Sequence, residues 1–140
     1  MKLTVFAGFL AIALLSLQGC AATSCAGKTV EVYVINGIGM SGDGPSRPDP
    51  YVKVTIGGLT QKTKVIRSSR NPFWWQGMVF NHANSNYMTV EVWDQDSGLR
   101  GADDHTGTCI EKLSTHGKKY TNVHCKIRHN GLVNLKYKCY

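Results

Sequence analysis

Apolar and polar residues alternate in short runs along this chain, and each run is closed by glycine, asparagine or proline. Over residues 29–36, Val30, Val32 and Val34 fall on one side of an extended backbone, with Glu31 and Tyr33 on the other. That is the period of a half-buried strand. Comparable runs at 51–56, 61–66, 78–80, 88–93, 108–113, 122–127 and 132–137 bring the count to eight predicted strands. Gly57-Gly58 separates the second and third at hairpin spacing, and Asn130-Gly131 separates the last two; such pairs are the strongest short-range hairpin signals. No window of a dozen residues keeps an apolar stripe at helical period. The expected fold is therefore all-β, an eight-stranded antiparallel sandwich.

Composition agrees with this pattern. The chain has 140 residues, 42% hydrophobic and only 18% charged, with 15 glycines. That is one domain's length, with enough apolar surface for a core and too little charge for a disordered chain. The N-terminus adds a compartment. Lys2, an apolar run from Leu3 to Leu17, and small residues at Gly19, Ala21 and Ala22 have the anatomy of a secretion signal. The run is shorter than the roughly 20 apolar residues of a membrane-spanning helix. Residues 1–22 are expected to be a removed signal peptide and 23–140 a single secreted, extracellular domain. Leu17-Gln18-Gly19-Cys20 competes as a lipoprotein box, which Gln18 fits poorly.

If Cys20 leaves with the signal, Cys25, Cys109, Cys125 and Cys139 remain. An even number in a secreted chain predicts two disulfides, with three pairings open. The preferred pairing joins Cys109 to Cys125 and Cys25 to Cys139. No pair has the spacing of a zinc knuckle.

The acids change the functional picture. Formal charge is +7, yet all six aspartates fall in two loops: Asp43 and Asp49 between the first two strands, and Asp94, Asp96, Asp103 and Asp104 between the fifth and sixth. Like charges held together repel unless a cation lies between them. Carboxylates on glycine-rich loops are the ligand type of Ca²⁺, the expected cofactor. Asp94-Gln95-Asp96 is not the start of an EF-hand: Leu99 stands where that loop needs glycine, His105 where it needs glutamate, and the flanks are strands.

Four segments, in order, resemble a C2 domain: Asp49-Pro50-Tyr51-Val52-Lys53-Val54, Lys62-Thr63-Lys64-Val65-Ile66, Asn71-Pro72-Phe73-Trp74, and Val90-Glu91-Val92-Trp93-Asp94-Gln95-Asp96. More narrowly, Val92 to Gly98, Gly107-Thr108-Cys109, Val123-His124-Cys125, His129-Asn130-Gly131 and Cys139 resemble the perforin type. The resemblance spans 29–140. It implies a sandwich whose loops at one end bind Ca²⁺ and then a phospholipid membrane, anionic or zwitterionic. Asp43 and Asp49 match first-loop ligands, Asp94 and Asp96 the third-loop pair, Asp104 the ligand three before Gly107, and Asp103 an extra acid. The stretch Leu99-Arg100-Gly101-Ala102 is longer than the family pattern, which leaves Asp103 and Asp104 both in play.

Ile38, Met40 and Leu99 lie in the acidic loops and are expected to contact the membrane. Lys53, Lys62, Lys64 and Arg67 would share neighbouring strands, where other C2 domains carry a lipid-phosphate patch; a solvated basic face is the competing reading. Trp74 and Trp93 are expected in the framework, and Trp75 on the exposed side. No Ser elbow, Cys–His pair or phosphate loop supplies a catalytic residue, and no aromatic-basic interleaving marks a nucleic-acid platform. The expectation is a non-enzymatic monomer that associates peripherally with membranes in the presence of calcium, in immune defence, with a separate pore-forming partner left open. A different class is a cationic interaction protein with structural calcium, binding a protein or an anionic surface.

Overall fold

The structure, a computed structural model, describes residues 23–42, 44–96 and 101–140. The expected signal peptide, Asp43 and Leu99 lie outside the described residues. Among the described residues ten strands follow in order: β1 (Thr23–Ser24), β2 (Val30–Ile38), β3 (Pro50–Ile56), β4 (Leu59–Lys62), β5 (Phe73–Phe80), β6 (Tyr87–Asp94), β7 (Asp104–Lys112), β8 (Ser114–Thr115), β9 (Thr121–Ile127) and β10 (Gly131–Cys139). Eight of them build two four-stranded antiparallel sheets, β5-β2-β10-β9 and β4-β3-β6-β7, while β1 and β8 form a two-residue ladder of their own. The architecture is the expected sandwich. Among the described residues no helix is long and apolar enough to cross a membrane.

Alternation decides which faces meet. Val30, Val32 and Val34 of β2 and Val133, Leu135 and Tyr137 of β10 point inward from one sheet; Val52, Val54 and Ile56 of β3 and Met88, Val90 and Val92 of β6 point inward from the other. Each such side chain contributes about 1.5–3 kcal/mol on leaving water. Gly57 and Gly58, at φ of 56° and 83°, make the predicted tight turn between β3 and β4, a conformation glycine adopts without steric cost.

Four details depart from the sequence pattern. The third predicted strand, 61–66, is instead Leu59–Lys62. There Thr63 turns inward, and its Oγ1 accepts the Val52 N–H at 3.0 Å and donates to Lys64 O at 2.9 Å. A side chain thus takes the place of a ladder carbonyl. β5 begins at Phe73 rather than Met78; Phe73 and Trp75 put aromatics on its outer face, which removes the polar half of the alternation. β7 begins at Asp104 rather than Thr108, because the start of its ladder is made by polar residues that carry no hydrophobic period. The last hairpin turns through Arg128–Asn130, with His129 and Asn130 at positive φ, and Gly131 is extended. Gly131 serves a close approach instead: a Cβ there would lie 2.7 Å from Ile127 Cγ1.

Cys25–Cys139 and Cys109–Cys125 are disulfide-bonded, with Cα separations of 5.8 and 5.9 Å. The first ties the segment before β2 to the end of β10. The second joins β7 to β9 across the two sheets.

Candidate metal centre

The site grows from the ends of three strands. Pro50 of β3 pairs with Asp94 of β6, and Asp94 pairs with Asp104 of β7. That last pairing depends on a bulge. Val92 faces Gly107 and Trp93 faces His105, so Thr106 is the extra residue, its Oγ1 donating to Val92 O at 3.0 Å. Without it His105 would stand opposite Asp94. Bulges at strand ends re-aim side chains in this way, and a one-residue slip exchanges the faces.

Asp94, Asp96 and Asp104 each present a carboxylate oxygen, and the three lie within 4.8 Å of one another. Calcium ligands sit about 2.3–2.6 Å from the ion, so oxygens on opposite sides of one ion are separated by up to about 5 Å. The donor set fits. Asp104 Oδ2 is also buried with no hydrogen-bond donor among the described residues, a costly state for a carboxylate oxygen unless a positive charge meets it. A cleft of about 240 Å³ opens over Asp94 and Asp104, bordered by Ser41 and Gly42 of the first loop and by Arg128 and His129 of the β9–β10 turn.

The other acids are placed differently. The Asp49 N–H donates to Asp94 Oδ1 at 2.8 Å, and Asp49 Oδ1 accepts from the Ser68 N–H at 2.7 Å. Asp49 therefore borders the trio and orders the loop beside it. Asp103 is not brought into the trio. Its Oδ2 accepts from the Tyr51 hydroxyl at 2.5 Å and its Oδ1 from the Asp96 N–H at 3.0 Å. Tyr51 is the residue that sequence reasoning missed. Its phenol is pushed well above the usual tyrosine range, by burial first and then by the hydrogen bond and charge of Asp103, so it remains a donor at any physiological pH. Its signal in the sequence is weak, an aromatic two residues after Asp49 on the side of β3 opposite Val52.

The candidate membrane contacts separate. Ile38 is 49% exposed at the end of β2. Met40 corrects the expectation: it is 2% exposed and part of the core cluster. Its N–H donates to Arg70 O at 2.8 Å, and its ε-methyl fills the space that the missing Cβ of Gly37 leaves. The loop folds back there, so Met40 packs into the core and is not presented at the surface.

Lys53 and Lys62 are paired across β3 and β4, and Lys53 faces Glu91 across β3 and β6. The Lys53 ammonium lies 4.7 Å from the Trp93 ring centroid, and that of Lys62 6.0 Å from Tyr51. Such contacts contribute about 0.5–1 kcal/mol at exposed sites. Lys64 and Arg67 are exposed but lie beyond the end of β4, so they are not on the sheet as expected.

The family model of the C2 domain matches residues 28–126. The chain belongs to the C2 domain family. Human perforin-1 is 33% identical over 108 residues, which is 74% of this chain and 18% of perforin-1. Rat multiple C2 and transmembrane domain-containing protein 1 is 33% identical over 76 residues, 53% of this chain and 8% of that one. The chain thus spans less than a fifth of the length of these relatives. Among solved structures, a C2 domain superposes with a TM-score of 0.69 at 24% identity, covering 80% of this chain and 97% of that one. A C2 domain of plant extended synaptotagmin 1 gives 0.69 at 19% identity, covering 82% and 97%. C2 domains are calcium- and phospholipid-binding modules.

Proposed function

We propose that this protein is a secreted, perforin-type C2 domain that binds phospholipid membranes when calcium is present, with a role in immune defence at cell or microbial surfaces. The observation that carries the reading is the trio Asp94, Asp96 and Asp104, with one carboxylate oxygen of Asp104 buried and lacking a donor. These three would hold Ca²⁺, with Asp49 and Asp43 as first-loop contributors. Bound calcium supplies positive charge between the loops and the lipid headgroup. Without it the carboxylates repel an anionic surface and locally oppose the attraction that the chain's overall net charge of +7 provides. Ile38, exposed at the strand end beside the first loop, and Leu99 in the third loop are the apolar contacts. Lys53 and Lys62 provide ammonium groups for lipid phosphate farther along the sheet. For an extracellular module of this kind the calcium dissociation constant is about 10⁻⁴–10⁻³ M.

Sedimentation with phosphatidylcholine and phosphatidylserine vesicles tests this. Protein should pellet with vesicles in millimolar calcium and remain in the supernatant in chelator. Equal pelleting in both would overturn the proposal and favour a cationic interaction protein whose calcium is structural.

A further inference from the structure

The outer face of one sheet presents a second surface, distinct from the carboxylate trio. On the outer face of β5-β2-β10-β9, Phe73 is 63% and Trp75 51% exposed. The Phe73 and Trp75 rings are parallel to within 2° at a centroid distance of 6.4 Å, Trp75 stacks on Tyr33 at 5.6 Å, and Tyr120 meets Tyr33 edge-on at 6.1 Å. The backbone is arranged for this face. Trp75 sits at φ of 43°, a region bulky residues avoid, where the β2–β5 register shifts, and its ring stays half exposed between Phe73 and Tyr33. Gly77 opposite Tyr33 has no Cβ, which would otherwise stand 3.0 Å from Tyr33 Cε1. A strained backbone that holds a half-exposed aromatic row in place is the kind of feature found at ligand-contacting sites.

Charge identifies the partner. In the strands of this sheet Lys126, Lys136 and Lys138 face one acid, Glu31. Glu31 is already engaged, by Lys138 at 3.4 Å and by the hydroxyls of Tyr120 and Tyr140. No carboxylate pairs with Lys136 among the described residues. Its ammonium lies 4.6, 5.1 and 5.6 Å from the ring centroids of Tyr120, Trp75 and Tyr33. One row nearer the loops, side chains form an amide ladder: Asn134 donates to Asn36 Oδ1 at 3.0 Å, and His124 Nδ1 lies 2.7 Å from Asn134 Oδ1. Rings, amides and ammonium groups on one flat face match three features of a charged sugar. Pyranose C–H bonds, slightly positive, lie against the negative ring faces; hydroxyls bond to amides; sulfate or carboxylate meets lysine. A bare polyacid would use only the last of these.

We propose that the juxtaposition of Phe73, Trp75, Tyr33 and Tyr120 with Lys136 and the Asn36–Asn134 ladder is a binding surface for an anionic polysaccharide bearing uronate and sulfate groups. The test is calorimetric titration of the protein with a heparin hexasaccharide, in chelator so that the loops do not contribute. Trp75→Ala should weaken binding tenfold or more, Lys136→Gln about fivefold and Phe73→Ala about threefold. The change Lys112→Gln, at an exposed position on β7 of the other sheet, should alter it less than twofold. Circular dichroism checks each fold; if Trp75→Ala is unfolded, Phe73→Ala and Lys136→Gln decide. Wild-type affinity in the aromatic variants, or no heparin binding at all, would overturn the proposal. So would hexaglutamate binding as tightly as heparin with the same dependence on the rings, which would make the partner an acidic polypeptide. Ring-dependent pelleting with phosphatidylserine vesicles in chelator would likewise overturn it in favour of a membrane.

Discussion

The two ends of the sandwich are built on opposite terms. At one end Cys25–Cys139 closes the chain where β2 begins and β10 finishes, the Tyr137 hydroxyl accepts the Ser114 N–H at 3.1 Å, and Glu31 is surrounded by Lys138, Tyr120 and Tyr140. Polar groups there have partners within the chain. At the other end three carboxylates converge within 4.8 Å and one buried oxygen has no donor among the described residues. Carboxylates brought this close repel one another, so a cation that meets them stabilises the folded state by binding it.

The largest expected effect breaks the closed end. Replacing Cys25 and Cys139 by serine should destabilise the fold by about 4–5 kcal/mol, since the bond closes a loop spanning most of the domain. Urea denaturation should show the same loss with and without calcium. Calcium dependence of that loss would mean the two ends are not independent. Next comes the open end: calcium supplied at about ten to a hundred times its dissociation constant should stabilise wild type by about 1.4–2.7 kcal/mol, read as a rise in Tm.

Tyr51→Phe sharpens the comparison in between. It removes a hydrogen bond to a charged group, worth about 1.5–3 kcal/mol, and frees Asp103 to turn toward the trio. The measured outcome should be lower stability in chelator and a changed calcium affinity, whereas a purely packing role would lower stability and leave affinity alone. The smallest effect is at Glu31. Burial raises its carboxyl, but the hydrogen bonds from Tyr140, Lys138 and Tyr120 and the Lys138 charge outweigh this and leave it below the usual range. A depressed carboxyl stabilises the fold above its unfolded value, and that contribution is lost as pH falls through the folded one. Glu31→Gln should therefore cost under about 1 kcal/mol at pH 7 and less as the solution is acidified below about pH 4, measured as the gap in Tm between variant and wild type.

Strands with one buried and one polar face were legible from the chain alone, as β2, β3, β6 and β10 show. The first halves of β5 and β7 were not, for opposite reasons: one has aromatics on both faces and the other polar residues on both. The gathering of aspartates was legible in spacing. Which of Asp103 and Asp104 joins Asp94 was not, because that turns on the bulge at Thr106 and a hydroxyl from Tyr51, a partner 52 residues away. Met40 was misplaced since its loop returns to the core through the backbone bond to Arg70, a tertiary contact that no local pattern announces.

The central claim is that the trio is a cation switch for lipid binding. Its most direct test is Asp94→Asn, which removes one charge while its Oδ1 can still accept the Asp49 N–H. Vesicle sedimentation across calcium concentration, paired with Tm in chelator, should show wild type pelleting with millimolar calcium, the variant staying in solution at every concentration, and a variant Tm in chelator equal to or above that of wild type. A folded Asp94→Asn protein that binds vesicles with the wild-type calcium dependence would contradict the account.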